Sequence, residues 1–229
     1  MDGFTRYALY FAPPPGPLAD FGAAWLGWDP RGGRKLAHPS VPGLPMPVAE
    51  ITRTPHKYGL HGTLKPPFRL AQGFDVSELH NATEALASSL APVLLDGLTL
   101  ARLGGFLALI PDGETTPLAL LAARVVEALD AFRAPPSEEE LDRRRKSGLS
   151  ARQEILLQKW GYPYVMEEFR FHLTLSGKLP DAEAEAIAAR LRPMLEPILP
   201  RPLRIRDICL FGEGQDGRFH NLHRYTLSG

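Results

Sequence analysis

The chain contains the stretch Tyr58-Gly59-Leu60-His61-Gly62-Thr63-Leu64-Lys65, and a near copy of it, Phe169-Arg170-Phe171-His172-Leu173-Thr174-Leu175-Ser176, follows in the second half. Both copies have the form aromatic-x-x-His-x-Thr-Leu. Side chains of a strand alternate between two faces, so the His and Thr of each copy share one face and the apolar residues occupy the other. We therefore predict a strand near 57–65 and another near 169–176, each with one polar face.

The polar faces of the two predicted strands provide the candidate site. If the strands face each other, one cleft is lined by a quartet of side chains: His61, Thr63, His172 and Thr174. The same alternation predicts that Lys65 and Arg170 also point into this cleft, where they would bind a small anion. The structural alternatives are two unrelated half-buried strands with locally bonded His and Thr, and two cations that end a strand in solvent.

The composition is that of an ordinary soluble protein of 229 residues, with 44% hydrophobic and 23% charged residues. Because 26 basic side chains balance 26 acidic ones, no general field attracts nucleic acid or an anionic membrane, and an anion site has to be local. Cys209 is the single cysteine and is interpreted as a buried apolar residue. The sequence has no signal-peptide or membrane-span pattern, so we expect a cytoplasmic protein.

Local patterns in the first half predict a strand at 6–11, a helix at 18–28 and an irregular loop at 29–47 that covers a site. The strand that carries His61 is predicted to end at Pro66-Pro67. Asp75 and Glu78 form a capping-box pattern that starts a helix to about residue 91. Gly104-Gly105 then separates the two strands of a hairpin.

Between the motifs lies a predicted helical insertion at 134–163, in which Ser137 and Ser150 each start a capped helix. The run 143–146, three arginines and a lysine, is interpreted as a solvated helix face in preference to a phosphate clamp. After the second motif, a helix from Asp181 and two strands at 203–211 and 218–227 are predicted. The order of motif strand, helix and hairpin thus occurs twice, which indicates an internal duplication.

Two imidazoles across a cleft can divide proton transfer, since one can accept a proton while the other donates one near neutral pH. Such a pair suits attack on phosphorus: a neutral His activates water or a sugar hydroxyl, and a protonated His donates to the departing oxygen. The threonine hydroxyls would hold the non-bridging phosphate oxygens. This chemistry needs no metal or other cofactor and predicts a bell-shaped dependence of activity on pH.

Other residues offer weaker sites. His220 and His223 lie on opposite faces of a predicted strand, which makes them a poor pair of metal ligands and favours surface roles. The remaining histidines, at 38, 56 and 80, have no partner pattern. The chain contains neither a G-x-S-x-G elbow nor a Walker-type phosphate loop, so a serine hydrolase and a nucleoside triphosphatase are unsupported.

The paired motifs resemble the two-histidine (2H) phosphoesterase superfamily, which includes RNA 2′,3′-cyclic phosphodiesterases of the RNA ligase type. Residues 6–14, 58–68 and 169–177 are similar to a branch that is associated with bacterial phosphonate metabolism. The resemblance implies an α+β fold in a single domain at 1–229, bilobal, with pseudo-twofold duplicated lobes of antiparallel sheet plus helices around a central cleft. It also implies metal-independent cyclic phosphodiester chemistry, with the His-Thr quartet as functional residues.

The substrate implied by this association is a small cyclic phosphate, of a nucleotide or of a sugar such as ribose. By analogy with related enzymes, His172 is favoured as the base, and Phe219 or Tyr225 would stack on a substrate base. Two alternatives stay open: a non-catalytic module that binds a nucleotide or sugar phosphate, and an RNA-end phosphodiesterase or ligase. The RNA reading is not favoured, because it requires several phosphate contacts from a chain of zero net charge.

Overall fold

Residues 3–229, the part of the chain that the computed structural model describes, form eleven β-strands and seven α-helices. The strands are β1 (Arg6–Phe11), β2 (Trp28–Asp29), β3 (Arg34–Lys35), β4 (Gly62–Phe68), β5 (Val93–Leu95), β6 (Gly97–Leu103), β7 (Phe106–Asp112), β8 (Leu173–Thr174), β9 (Leu203–Ile205), β10 (Asp207–Glu213) and β11 (Phe219–Thr226). The helices are α1 (Pro17–Leu26), α2 (Val48–Ile51), α3 (Val76–Ser88), α4 (Thr116–Ala128), α5 (Glu138–Arg145), α6 (Ala151–Trp160) and α7 (Asp181–Leu195).

Seven strands form one antiparallel sheet in the order β11-β10-β1-β4-β8-β7-β6. The two strands that carry the motifs, β4 and β8, are neighbours in the middle of this sheet. Two further pairs, β2 with β3 and β5 with β9, lie outside it. The predicted α+β class with an antiparallel sheet is therefore confirmed.

The predicted duplication can be followed in the order of elements. Each motif strand is followed by a helix, a short strand and a hairpin, as β4-α3-β5-β6-β7 in the first copy and β8-α7-β9-β10-β11 in the second. Equivalent strands pair with each other, β4 with β8 and β5 with β9. The hairpin of the first copy pairs with β8 of the second, and the hairpin of the second pairs with β1, the neighbour of β4. The two copies are therefore interleaved in one sheet.

The main hydrophobic core lies on one face of the sheet and includes residues of helices from both copies, such as Leu79 of α3, Val125 of α4 and Ile187 of α7. From β1 it receives Leu9 and Phe11. The alternation along β1 turns the intervening residues to the other face. That face carries a smaller buried cluster: Ala8, Tyr10, Ala12, Cys209, Phe211 and Phe219. The candidate site lies on this second face.

Short-range signals in the sequence correspond closely to helix starts. Asp75, Ser137 and Ser150 each accept a hydrogen bond from the backbone N–H three residues later, and each forms the complete capping box that was predicted. The predicted hairpin turns at Gly104, whose φ of 56° favours glycine. No helix among residues 3–229 is both long enough and apolar enough to cross a bilayer.

The motif strands have different bounds from the predicted ones. β4 begins at Gly62 and continues through Pro66 and Pro67 to Phe68, whereas β8 is only two residues long. The prediction that the prolines end the strand was wrong. β8 pairs with β4 only at Gly62. Pro66 and Pro67 lie beyond this pair, where no strand on the β8 side needs an N–H donor from β4, as at a sheet edge.

Candidate active site

The two motifs meet at the centre of the sheet, where Gly62 pairs with Leu173 in antiparallel orientation. Both paired residues are buried on the core side, and the His and Thr on either side of each project to the opposite face. Their register places His61 across from Thr174, and Thr63 across from His172. A local twofold relation between the strands thus brings the predicted quartet onto one face.

The His61 imidazole is held between its own backbone and the cluster beneath it. Its ring stacks on Tyr10, with 3.9 Å between the ring centroids. Its Nδ1 lies 3.0 Å from the carbonyl oxygen of Gly59, and because a carbonyl only accepts, Nδ1 carries the proton. Nε2 is therefore left as an acceptor, 3.3 Å from Oγ1 of Thr63.

The environment of His61 favours the neutral imidazole. Burial lowers the pKa of His61 to about 4; the hydrogen bond to Gly59 opposes this shift, and the charge of His172 adds to it. At neutral pH the ring is therefore an unprotonated base whose Nε2 can accept a proton.

His172 repeats the same construction on the second motif. Its Nδ1 lies 2.8 Å from the carbonyl oxygen of Arg170, again two residues earlier, so its Nε2 is likewise left unbonded to the backbone. The ring lies beside Phe106 of β7, with centroids 5.6 Å apart, and its hydrogen bond to Arg170 is exposed, whereas that of His61 to Gly59 is partly buried. The two imidazoles thus have the same orientation relative to their strands but different degrees of burial.

A cavity of about 240 Å³ opens over the motif strands. Its wall includes His61, Thr63, Thr174, Tyr58, Tyr162 and Arg144. His172 does not line this cavity itself and stands across the strand pair from Thr63, which does. Arg6 also reaches the cavity, but Glu213 compensates its charge through two hydrogen bonds of 2.5 and 2.8 Å.

Arg144, which follows Arg143 in α5, is one of the cavity residues that sequence reasoning missed. The run 143–146 was interpreted as a solvated face, but Arg144 is half-buried, and its guanidinium lies 4.3 Å from the ring centroid of Tyr162. Arg145 instead points away and pairs with Glu154 of α6. The sequence contains a signal that distinguishes Arg144 from Arg145. Leu141 is the one apolar residue of α5 and indicates which face of the helix points inward; Arg144, three positions later, lies on that same face.

Lys65 does not point into the cleft, contrary to the prediction. Tyr10 pairs with Thr63, but Leu9 pairs with Lys65, so β4 contains one extra residue relative to β1 between these pairs. Such a bulge reverses the alternation of faces. Lys65 is consequently 2% exposed on the core side, where its Nζ bonds Asp130 at 3.3 Å. Burial lowers the pKa of this amine to about 8, although Asp130 opposes the shift.

Arg170 and the two proposed stacking residues also lie outside the cavity. Arg170 is exposed, and its contribution to the site is the carbonyl that orients His172. Phe219 is fully buried beneath Tyr58, with ring centroids 5.0 Å apart, and has no free face. Tyr225 faces the main core, where its hydroxyl bonds Nδ1 of His80 at 2.7 Å. The aromatic rings that do line the cavity are Tyr10, Tyr58 and Tyr162.

The two histidines near the C-terminus have separate neighbours, but the prediction that they lie on opposite faces was wrong. His223 pairs with Leu210 and His220 with Gly212, so β11 contains one extra residue between them, and this bulge places both histidines on the same face. His220 contacts the rings of Trp28 and Phe4, whereas His223 contacts that of His80. No group of three or more His, Cys, Asp or Glu side chains within residues 3–229 is arranged to hold a metal ion.

Two curated relatives are similar over most of this chain. The ribose 1,5-bisphosphate phosphokinase PhnN of Janthinobacterium sp. (strain Marseille) is 41% identical over 188 residues, which cover 81% of this chain and 42% of the relative. The protein of the same name from Laribacter hongkongensis (strain HLHK9) is 37% identical over 222 residues, which cover 96% of this chain and 51% of the relative. The chain therefore spans about half the length of the curated relatives it matches.

Among solved structures, TT0787 of Thermus thermophilus aligns with a TM-score of 0.46 and 17% identity over 98% of both chains. A structure described as a phosphoesterase aligns with a TM-score of 0.45 and 14% identity over 99% of both chains. A family model with the description "Protein of unknown function (DUF1045)" matches residues 63–220, from the first motif to the last hairpin. The chain belongs to this DUF1045 family.

Proposed function

We propose that this protein is a cyclic phosphodiesterase, which opens a cyclic phosphodiester to a monoester with His61 and His172 as the acid–base pair. The observation that carries the proposal is the pairing of Gly62 with Leu173, since it brings both His-x-Thr motifs to one face beside a single cavity. Each imidazole has its Nδ1 fixed by a backbone carbonyl and its Nε2 available for proton transfer. The resemblance to 2H phosphoesterases supports the same chemistry.

In the proposed reaction, water attacks the phosphorus and transfers a proton to Nε2 of His61, which burial keeps neutral. The bond between phosphorus and one ring oxygen breaks, and protonated His172 donates its proton to that leaving oxygen. One water is consumed, and the products are a phosphomonoester and a free hydroxyl. Thr63 and Thr174 would donate hydrogen bonds to the non-bridging oxygens and stabilise the charge that develops on them.

This division of roles is opposite to the one that analogy with related enzymes favours, in which His172 is the base. The difference in burial supports our assignment: a second positive charge is disfavoured on His61 when His172 is protonated. His172, whose Nδ1 bonds the Arg170 carbonyl in an exposed position, is therefore assigned as the proton donor.

A ribosyl cyclic phosphate is the substrate class that we favour. The curated relatives are named for a kinase of ribose 1,5-bisphosphate, so a ribose phosphate is a reasonable neighbour in metabolism. Kinase activity itself is not proposed for this chain, because it contains no G-x-x-x-x-G-K-[ST] phosphate loop. The resemblance to a phosphonate-associated branch supports a role in phosphonate metabolism.

The test is hydrolysis of a panel of cyclic phosphodiesters in excess EDTA, followed by phosphorus NMR to identify the monoester. The panel contains 2′,3′-cyclic nucleotides, ADP-ribose cyclic phosphate and ribose 1,2-cyclic phosphate. We expect His61→Ala and His172→Ala each to lower turnover by roughly 10² to 10⁴ with an intact fold. His56→Ala is the matched control, because His56 lies outside the cavity and its Nδ1 bonds the Arg53 carbonyl.

Retention of wild-type turnover in either histidine variant would refute the acid–base assignment. Binding of panel compounds without turnover, lost in a Thr63→Ala, Thr174→Ala double variant, would favour a non-catalytic binding module. Turnover of RNA ends alone, with a steep decrease as salt is raised, would favour the RNA-end enzyme.

A further inference from the structure

A second, smaller recess adjoins the cavity beneath α5. It has a volume of about 40 Å³ and shares Arg6, Pro67 and Arg144 with the cavity, so the two are adjacent. A water molecule needs about 10–15 Å³ measured in this way, so the recess has room for about three.

The lining of this recess is strongly basic, with five arginines and a single carboxylate, Glu140. Three of the arginines have carboxylate partners, in the pairs Arg6–Glu213, Arg69–Glu140 and Arg133–Asp130. Arg143 and Arg144 have no carboxylate within 4.0 Å in the part of the chain that the structure describes. The recess therefore has two guanidinium groups without an ion pair: Arg144, which is half-buried, and Arg143, which is exposed and whose charge also acts on Glu140. Together they carry the two positive charges that match a phosphomonoester dianion.

The position of Arg144 is fixed before any ligand binds. Its guanidinium lies against the ring of Tyr162, and α5 is tied to the strand region by two hydrogen bonds from Arg69 to Glu140, of 2.9 and 3.0 Å. A guanidinium held in this way loses little conformational freedom when it binds an oxyanion. Such preorganisation is expected of a binding group and is not needed for a charge that only faces solvent.

We infer that the cleft accepts a cyclic phosphodiester that carries a second, terminal phosphomonoester, and that Arg143 and Arg144 bind this second phosphate. The inference rests on the proposed function, in which the cyclic phosphate lies at the His-Thr quartet. The substrate would then span the cavity, with the cyclic group over the motif strands and the terminal group in the recess. Arg143 and Arg144 would determine specificity without taking part in proton transfer.

The experiment compares two matched pairs of substrates, each with and without a phosphate on the 5-hydroxyl: ribose 1,2-cyclic phosphate and adenosine 2′,3′-cyclic phosphate. We expect wild-type kcat/KM to be at least about 10-fold higher for the phosphorylated member of the preferred pair, since one charge-assisted contact is worth roughly 10- to 100-fold. In Arg143→Ala, Arg144→Ala protein this ratio should fall towards one, mainly through KM. Arg145→Ala removes a charge from the same helix but outside the recess, and should keep the wild-type ratio.

Equal kcat/KM for both members of each pair would overturn the second-phosphate site and leave the cyclic phosphodiesterase proposal intact. If no compound is hydrolysed, the proposed function fails, and calorimetric binding of the same pairs still decides the inference. Tighter binding of the phosphorylated compound that disappears in the double variant supports the recess as a phosphate site. Equal binding by wild-type and double-variant protein refutes it. Circular dichroism of the variants excludes loss of fold as the cause.

Discussion

His61 links the stability of the fold to the chemistry of the site. Because its folded pKa of about 4 is below the ordinary value of 6.5, the unfolded chain binds more protons between these two pH values. The contribution of His61 to the free energy of unfolding must therefore rise from pH 4 to pH 6.5. We expect a change of roughly 1 to 2 kcal/mol, less than the full shift implies because the ring is partly exposed.

Urea unfolding of wild-type and His61→Asn protein at several pH values measures this contribution. The stability difference between the two proteins should increase from pH 4 to pH 6.5 and then level off. His56→Asn replaces a half-buried imidazole outside the cavity and provides the matched control. A constant difference between wild-type and His61→Asn protein would contradict the lowered pKa.

The same pKa determines the acid limb of the activity profile. The base has to be neutral in the free protein, so kcat/KM should fall only as the pH drops towards 4, well below the range of an ordinary imidazole. The measurement is kcat/KM from pH 3.5 to 9 on the best substrate of the panel. An acid limb in the ordinary range of an imidazole would contradict His61 as the base.

Gly62 lies between His61 and Thr63, and there is no room for a side chain at this position. A Cβ at this position would lie 2.3 Å from the buried ring of Phe171, so the ring or the strand would have to move. We expect Gly62→Ala to lower the free energy of unfolding by roughly 1–3 kcal/mol and to impair activity through misalignment of β4 and β8.

Chemical denaturation of Gly62→Ala and of Gly105→Ala provides the comparison. In Gly105→Ala the new Cβ would meet only the Lys178 side chain, at 3.5 Å, which is an ordinary contact. Its stability should stay within about 0.5 kcal/mol of wild type. Equal effects of the two substitutions would contradict the role given to the space beside Phe171.

Helix α5 is attached to the protein by polar contacts, since none of its residues is buried. Glu140 is central to this attachment, because it completes the capping box with Ser137 and accepts two hydrogen bonds from Arg69. We expect Glu140→Ala to detach α5, with a global cost of about 1 kcal/mol but a large local loss of protection. Displacement of Arg144 should also raise KM.

Hydrogen exchange of peptides from 137–149 measures the local effect. Glu139→Ala is the matched control, because Glu139 is exposed on the same helical turn. Faster exchange should be confined to the Glu140→Ala protein. Unchanged exchange in that variant would mean that other contacts hold α5 in place.

The elements that sequence predicted best are those determined by neighbouring residues. The capping boxes at Asp75, Ser137 and Ser150 depend on contacts three residues apart and were predicted without knowledge of the fold. The positions of Lys65 and Arg144 depend on distant partners: one on the register between β1 and β4, the other on docking of α5 beside Tyr162. Alternation along a single strand gives no indication of a bulge, and so the prediction for Lys65 was wrong.

At the scale of the whole molecule, the interleaving of the two copies makes each dependent on the other. Residues 1–147 contain β4 and β7, but the strand that lies between them in the sheet, β8, is in residues 148–229. Conversely, β10 needs β1 as its neighbour. Each of these two ranges, produced alone as a fragment, would expose the edges of an interrupted sheet and lose part of the core that both copies share.

We therefore expect residues 1–147 and 148–229, expressed separately, to lack a cooperative thermal transition, and the mixed fragments to reassemble. The cut before Gly148 is suitable because a Cβ on this residue would meet no atom within 4 Å. Gel filtration and circular dichroism of each fragment and of the mixture provide the measurement. A cut before Lys65, inside the central strand β4, is the control and should prevent reassembly. A cooperative transition in the isolated 148–229 fragment would mean that the second copy is an independent unit, and the shared site would then depend on docking of two folded lobes.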